Sequence, residues 1–313
     1  MGEDNETLPP GEFILTRLSD NPEKRVILFV VFLMVYMTAV LGNLLILSLF
    51  LAASHLHTPM YFFLFNFSIL EVSYTSCVVP QMLAHLLVER TTISFNRCAA
   101  QLYLFLSFGI TECLLLTVMS YDRYVAICNP LHYNLTMTKQ VCTTMAVASW
   151  VGGFLFSSMN SVATLMLSFC GHREIDHFFC EMPAMVRIAC AGMHQAQIVV
   201  SISCVLTLVF PLLLIFFSYA RILHTVLGSH SSVGRHKAFS TCSSHLAVVA
   251  LFFGTVLSMY LRPHSSSSMG QNKITSVFYI VITPALNPMI YTLRNKEVIR
   301  ALKKVRCRGR EVS

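Results

Sequence analysis

The sequence predicts an all-α membrane protein, a bundle of seven transmembrane helices. Of its 313 residues 55% are hydrophobic and only 12% charged, whereas about a quarter of a soluble domain carries charge. The apolar residues fall into seven blocks near 26–50, 58–80, 98–124, 141–165, 197–223, 237–260 and 274–293. Each is long enough to cross a hydrocarbon layer about 30 Å thick, which takes about 20 helical residues. The chain thus divides into a tail at 1–25, a membrane domain at 26–293 and a second tail at 294–313. The connecting stretches are too short to bury a core of their own, so no soluble catalytic domain is expected.

The first tail is acidic, with Glu3, Asp4, Glu6 and Glu12, and the second is crowded with Arg294, Lys296, Arg300, Lys303, Lys304, Arg306, Arg308 and Arg310. Basic residues stay on the cytoplasmic side of short loops, so the C-terminus is expected inside and, across an odd number of spans, the N-terminus outside. The net charge of +7 then describes attraction to anionic lipid rather than to nucleic acid. Asn5-Glu6-Thr7 is a glycosylation acceptor on the outer tail. The first 25 residues lack an apolar core, so an uncleaved first span is expected.

Ionisable residues within spans are costly and usually functional. Glu71 lies midway along span two and Glu112 midway along span three, whereas Asp122-Arg123 closes span three. An interfacial ion pair that anchors a helix end accounts equally well for Asp122-Arg123. The glutamates either each hold a proton or together hold a cation, with Asn43 and Asn287 as polar neighbours; sodium suits such an oxygen-lined site, and a structural hydrogen-bond network is the alternative. Pro80, Pro211, Pro284 and Pro288 lie within or near span ends, where each is either a hinge or a static kink.

Six of the eleven cysteines, Cys77, Cys113, Cys128, Cys142, Cys204 and Cys242, lie in or beside helices, where a thiol is usually a small buried hydrophobe. Cys98 opens span three, and Cys170, Cys180 and Cys190 fall in the long outer loop before span five, where bridges persist and three pairings are open. Cys307, beside the last span, is placed for palmitoylation or for a free thiol. His172 and His177 in the outer loop could take copper or zinc, although loop histidines are more often simply solvated.

The run Met119-Ser120-Tyr121-Asp122-Arg123-Tyr124-Val125-Ala126-Ile127-Cys128-Asn129-Pro130-Leu131 resembles the signature of vertebrate odorant receptors of the tetrapod type, rhodopsin-like G-protein-coupled receptors. Five shorter strings agree, each in the span where that family carries it: Gly42-Asn43, Leu56-His57-Thr58-Pro59-Met60-Tyr61, Ser218-Tyr219, the run from Lys237 to His245, and Pro284-Ala285-Leu286-Asn287-Pro288-Met289-Ile290-Tyr291. Together they cover nearly the whole chain. Two positions depart from the family's habit: Phe253 stands where Tyr is usual, and Glu71 where many members have Asp.

The resemblance implies bridges Cys98–Cys180 and Cys170–Cys190, a short amphipathic eighth helix in 294–313, and residence in the plasma membrane, in olfactory cilia. It implies a small, fairly apolar volatile ligand in the outer part of the bundle, and a stimulatory, olfactory-type G protein as partner, raising cyclic AMP. Asp122, Arg123, Tyr124, Tyr219, Asn287, Pro288 and Tyr291 would form the switch. Helical spacing from those motifs places Phe105, Leu106, Phe108, Gly109 and Ile110 of span three at a pocket, with Ser203 and Thr207 of span five. Phe253, Val256 and Tyr260 of span six and Val277 and Ile280 of span seven complete it. No cofactor is expected apart from sodium as a modulator.

A transporter would share the mid-membrane carboxylates, but the chain shows no internal repeat, and seven spans do not form two equal halves. A membrane-embedded enzyme lacks any His-carboxylate or Ser-His constellation inside the spans.

Overall fold

A computed structural model of the chain describes residues 11–88, 91–171, 173–228, 232–260 and 268–293. Seven membrane helices run over Pro22–Ala52, Pro59–Leu87, Phe95–Cys128, Lys139–Leu165, Met193–Leu227, Ser232–Tyr260 and 268–293, here called spans one to seven. Six carry long apolar stretches, and span six carries a shorter one at Cys242–Ser258. Most helices extend beyond their apolar block, because polar residues close their first turns. Asn21 accepts from the Glu23 and Lys24 N–H groups ahead of Pro22, Ser94 from Arg97 N–H, and Thr138 from Val141 N–H. Span two continues through Pro80 to Leu87, so that proline does not end the helix.

The solvent these helices require is visible on their surface. Met34, Leu155 and Phe216, the last 72% exposed, point away from the bundle. So wide an apolar surface is stable against lipid and not against water. Inside, one cluster gathers Phe63, Leu115, Leu116, Val248 and Phe252 from spans two, three and six. A second joins Tyr74, Val78, Phe105 and Ile280 to Phe178 and Phe179 of the outer loop.

The segment before span one departs from the expected free tail. Glu12–Leu15 is a strand, β1, at the centre of a three-stranded sheet. It pairs antiparallel with β2 (Thr92–Ser94) and parallel with β3 (Glu174–Ile175). Alternation explains its seat: Phe13 and Leu15 point down into a cluster with Ile93, Ile175 and Met185, while the intervening residues face out. Two disulfides pin the same cap. Cys98–Cys180 ties the loop to the start of span three with Cα atoms 5.4 Å apart, and Cys170–Cys190 closes the loop on itself. This is the pairing implied by the resemblance.

Two helices contain a π-helical turn, Val205–Val209 in span five and Phe278–Ile282 in span seven. Each inserts a residue into the i to i+4 ladder and rotates the helix beyond it. Asn5, the tail at 294–313 with its expected eighth helix and Cys307, and the side chain of Tyr260 lie outside the described residues.

Candidate functional site

Beneath the disulfide-pinned cap, spans three, five, six and seven leave a mainly apolar cavity of about 780 Å³, a figure that includes the open space at its mouth. Span three contributes Phe105, Leu106, Gly109 and Ile110, span five Ser203 and Thr207, and span six Val256. Phe108 instead packs edge-on against Trp150 and Phe154 of span four. Phe253 is turned into the core beside Phe252, which takes the lining position. Val277 and Ile280 pack in the cluster beneath the cap, and Tyr279 between them lines the cavity. Tyr74, Cys113, Asn160, Val200, Cys204 and Leu208 complete the walls, and Glu181, Met182 and Pro183 form the roof.

The roof carries the polar machinery. Asp176 accepts from Lys273 Nζ of span seven at 2.6 Å and from Thr16 at 3.1 Å. Burial pushes its carboxyl up, but those two bonds outweigh it and hold it below the usual range. His177, expected in solvent, is only 2% exposed; its Nε2 lies 3.2 Å from Ser276 Oγ and 3.5 Å from Glu181 Oε1. Burial lowers this imidazole to about 3, with Lys273 helping, so it is neutral. Burial likewise raises the Glu181 carboxyl to about 8, opposed by Arg187 and by the Tyr279 hydroxyl. The contact is therefore one between a neutral imidazole and a neutral acid. Copper or zinc at this loop gains no support from its cysteines, which are bridged; among the described residues no three His, Cys, Asp or Glu side chains converge, and His172 lies outside those residues.

Deeper in the bundle, Asn287 Nδ2 of span seven donates to Glu71 Oε1 of span two. Glu112 lies close enough to feel the charge of Glu71, and both carboxyls are buried. Glu71 Oε2, Asn287 Oδ1 and Ser68 Oγ have no hydrogen-bond partner among the described residues. Asn43 directs its amide N–H to Ala39 O of its own helix at 2.9 Å.

At the far end of span three, Arg123 donates through Nε to Asp122 Oδ2 at 2.9 Å, and Nη2 reaches the same oxygen. Tyr133 of the following loop donates to Asp122 Oδ1 at 2.7 Å. Tyr219 of span five meets His245 Nδ1 of span six at 2.7 Å, with Tyr124 packed close by. Tyr291 packs edge-on to Phe67, and its hydroxyl is without a partner among the described residues. Among the described residues Arg123 hydrogen-bonds to Asp122 and not to span six.

A family model described as olfactory receptor matches residues 32–309. The chain belongs to the olfactory receptor family. It is 49% identical to human olfactory receptor 2B2, over 95% of this chain and 83% of that one. It is 48% identical to human olfactory receptor 2F1, over 97% and 96%, and 47% identical to mouse olfactory receptor 5B21, over 94% and 92%. The protein is thus an odorant-sensing G-protein-coupled receptor, a multi-pass membrane protein and not an enzyme.

Several of the receptor's cavity residues escape a reading by helical spacing. Asn160 and Tyr74 lie on spans four and two, from which no pocket residues were expected. Glu181 is adjacent to Cys180, so the bridge that carries the loop across the bundle also carries this carboxyl over the cavity. A charged residue next to a bridged cysteine was the available signal.

Proposed function

We propose that this receptor binds small, fairly apolar volatile molecules in the cavity beneath the cap and activates a stimulatory, olfactory-type G protein that raises cyclic AMP. The observation that carries the reading is the arrangement along span three. Its Cys98 end is tied to the roof of a mainly apolar cavity, and its other end holds Arg123 against Asp122. In the resting state Asp122, itself held by Tyr133, retains Arg123; ligand binding favours a state in which Arg123 is released, with Tyr124, Tyr219, Asn287, Pro288 and Tyr291 rearranging around it. The N-terminus with glycosylated Asn5 lies outside and the basic C-terminus in the cytoplasm, in the plasma membrane of olfactory cilia. In cells expressing the receptor, Arg123→Ala abolishes the odorant-evoked rise in cyclic AMP while surface labelling stays near wild type; full signalling by this variant would refute the switch.

We further propose sodium as a modulator between Glu71, Glu112 and Asn287, with Ser68 as an additional donor and Asn43 near the site. The fit rests on three buried oxygens without partners among the described residues, on Glu71, Asn287 and Ser68, a donor set that suits a hard cation. When bound, the ion supplies positive charge to paired carboxyls. Glu112→Gln shifts basal signalling or its dependence on sodium, measured by cyclic AMP across sodium concentrations at constant ionic strength; identical curves for both proteins would remove the ion.

A further inference from the structure

The cavity wall between spans four and five holds a donor and an acceptor side by side, both open. Asn160, 5% exposed, donates through Nδ2 to Ser203 Oγ at 2.8 Å. Its Oδ1 has no partner among the described residues. Ser203 Oγ accepts that bond, and its own O–H likewise has no acceptor among them. The neighbouring hydroxyls are already committed to backbone: Thr207 donates to Ser203 O and Thr164 to Asn160 O, each at 2.8 Å. Both Asn160 and Ser203 line the cavity.

An open acceptor and an open donor that sit at the two ends of one hydrogen bond can be completed by a single ligand atom, provided that atom both donates and accepts. A hydroxyl does so, with one O–H and two lone pairs. A ketone, ester or ether oxygen only accepts and would leave Asn160 Oδ1 buried without a partner. An ammonium only donates, so it would leave the Ser203 O–H without an acceptor and place a charge among apolar walls. Ile110, Leu208, Phe252 and Val256 leave the rest of the cavity apolar.

Building on the odorant-cavity reading, we propose that the cavity selects small alcohols, the ligand hydroxyl donating to Asn160 Oδ1 and accepting from Ser203 Oγ while its carbon skeleton lies against Ile110, Leu208 and Val256. Losing one partner of a buried polar group is expected to weaken binding about tenfold.

The test is ligand-induced thermal stabilisation of the purified full-length receptor, since a molecule that binds the folded state raises its melting temperature. Linear, branched, cyclic and aromatic alcohols are each compared with their methyl ether and with the matching aldehyde or ketone. The proposal expects the stabilising alcohols to act at about tenfold lower concentration than their ether and carbonyl counterparts, and Asn160→Leu to abolish that difference. Should Asn160→Leu not fold, Ser203→Ala, which removes the hydroxyl donor, is expected to narrow the difference, and the wild-type comparison stands without either variant. Equal potency of alcohol and ether, preference for carbonyl compounds, or no stabilisation by any alcohol overturns it. Cyclic AMP reports the receptor reading separately. Stabilisation by alcohols without signalling would keep the hydroxyl site and remove the coupling; signalling evoked only by ethers or ketones would do the reverse.

Discussion

Burial holds the Glu181 carboxyl neutral at pH 7 and the His177 imidazole neutral beside it, so the roof of the cavity titrates in two opposite senses. Glu181 rises from 4.5 to about 8 on folding. Between those values the folded state binds a proton that the unfolded chain releases, and its contribution to stability, complete below about pH 4.5, is lost as pH rises through 8. His177 falls from 6.5 to about 3. Its contribution is complete above pH 6.5 and is lost as pH falls towards 3. Above pH 6.5 the Glu181 effect therefore acts alone within this pair. Melting temperatures of detergent-solubilised receptor are expected to decline from pH 6.5 to 8, and Glu181→Gln to flatten that limb while sparing the acid one. An unchanged alkaline limb in the variant would show that Glu181 titrates like an exposed carboxyl.

Spans three and four meet at a glycine. A Cβ on Gly153 would lie 3.0 Å or less from the Thr111 side chain and 2.9 Å from the Ser107 carbonyl oxygen. The backbone oxygen cannot give way as a flexible side chain would. Gly153→Ala is expected to cost roughly 1–3 kcal/mol by overpacking, read as a lower melting temperature and reduced surface expression; a variant as stable as wild type would show that the two helices can separate freely. The same close contact explains how Ser157, one turn on, donates to Tyr103 O at 2.7 Å. Helix faces were the least legible level of the sequence. A lipid-facing helix is apolar on every side, so hydrophobic periodicity does not mark its inner face. An offset of one residue, about 100° of rotation, separates Phe253 in the core from Phe252 at the cavity. In span seven the π turn at Phe278–Ile282 brings Tyr279 rather than Val277 or Ile280 to the cavity. Strand β1 was hidden for another reason: four alternating residues acquire a partner only when the loop carrying Glu174 and Ile175 is already folded over them.

At the scale of the whole molecule, the seven spans were readable because length and apolarity are set by lipid thickness, and each block became part of a helix. The ends of the signalling path were readable as well: Asp122-Arg123 stood out as charge at a helix end, and Phe105, Leu106, Gly109 and Ile110 could be reached from it by counting turns. Gly109 and Arg123 are fourteen residues apart on one unbroken helix, about 21 Å at 1.5 Å per residue. A molecule seated against Gly109 can thus bias Arg123 only through a change in how the bundle is arranged. Filling that seat tests the link directly. The Cβ of a larger residue at 109 would meet nothing closer than Tyr74 Cε2 at 3.9 Å, so Gly109→Leu is expected to fold and reach the cell surface with its side chain in the ligand's place. The deciding measurement is odorant-evoked cyclic AMP from a chemically broad panel, in cells displaying matched amounts of wild type and Gly109→Leu. A wild-type response lost or shifted at least tenfold to higher concentration in the variant is the result expected; identical dose–response curves would contradict a ligand site in this cavity.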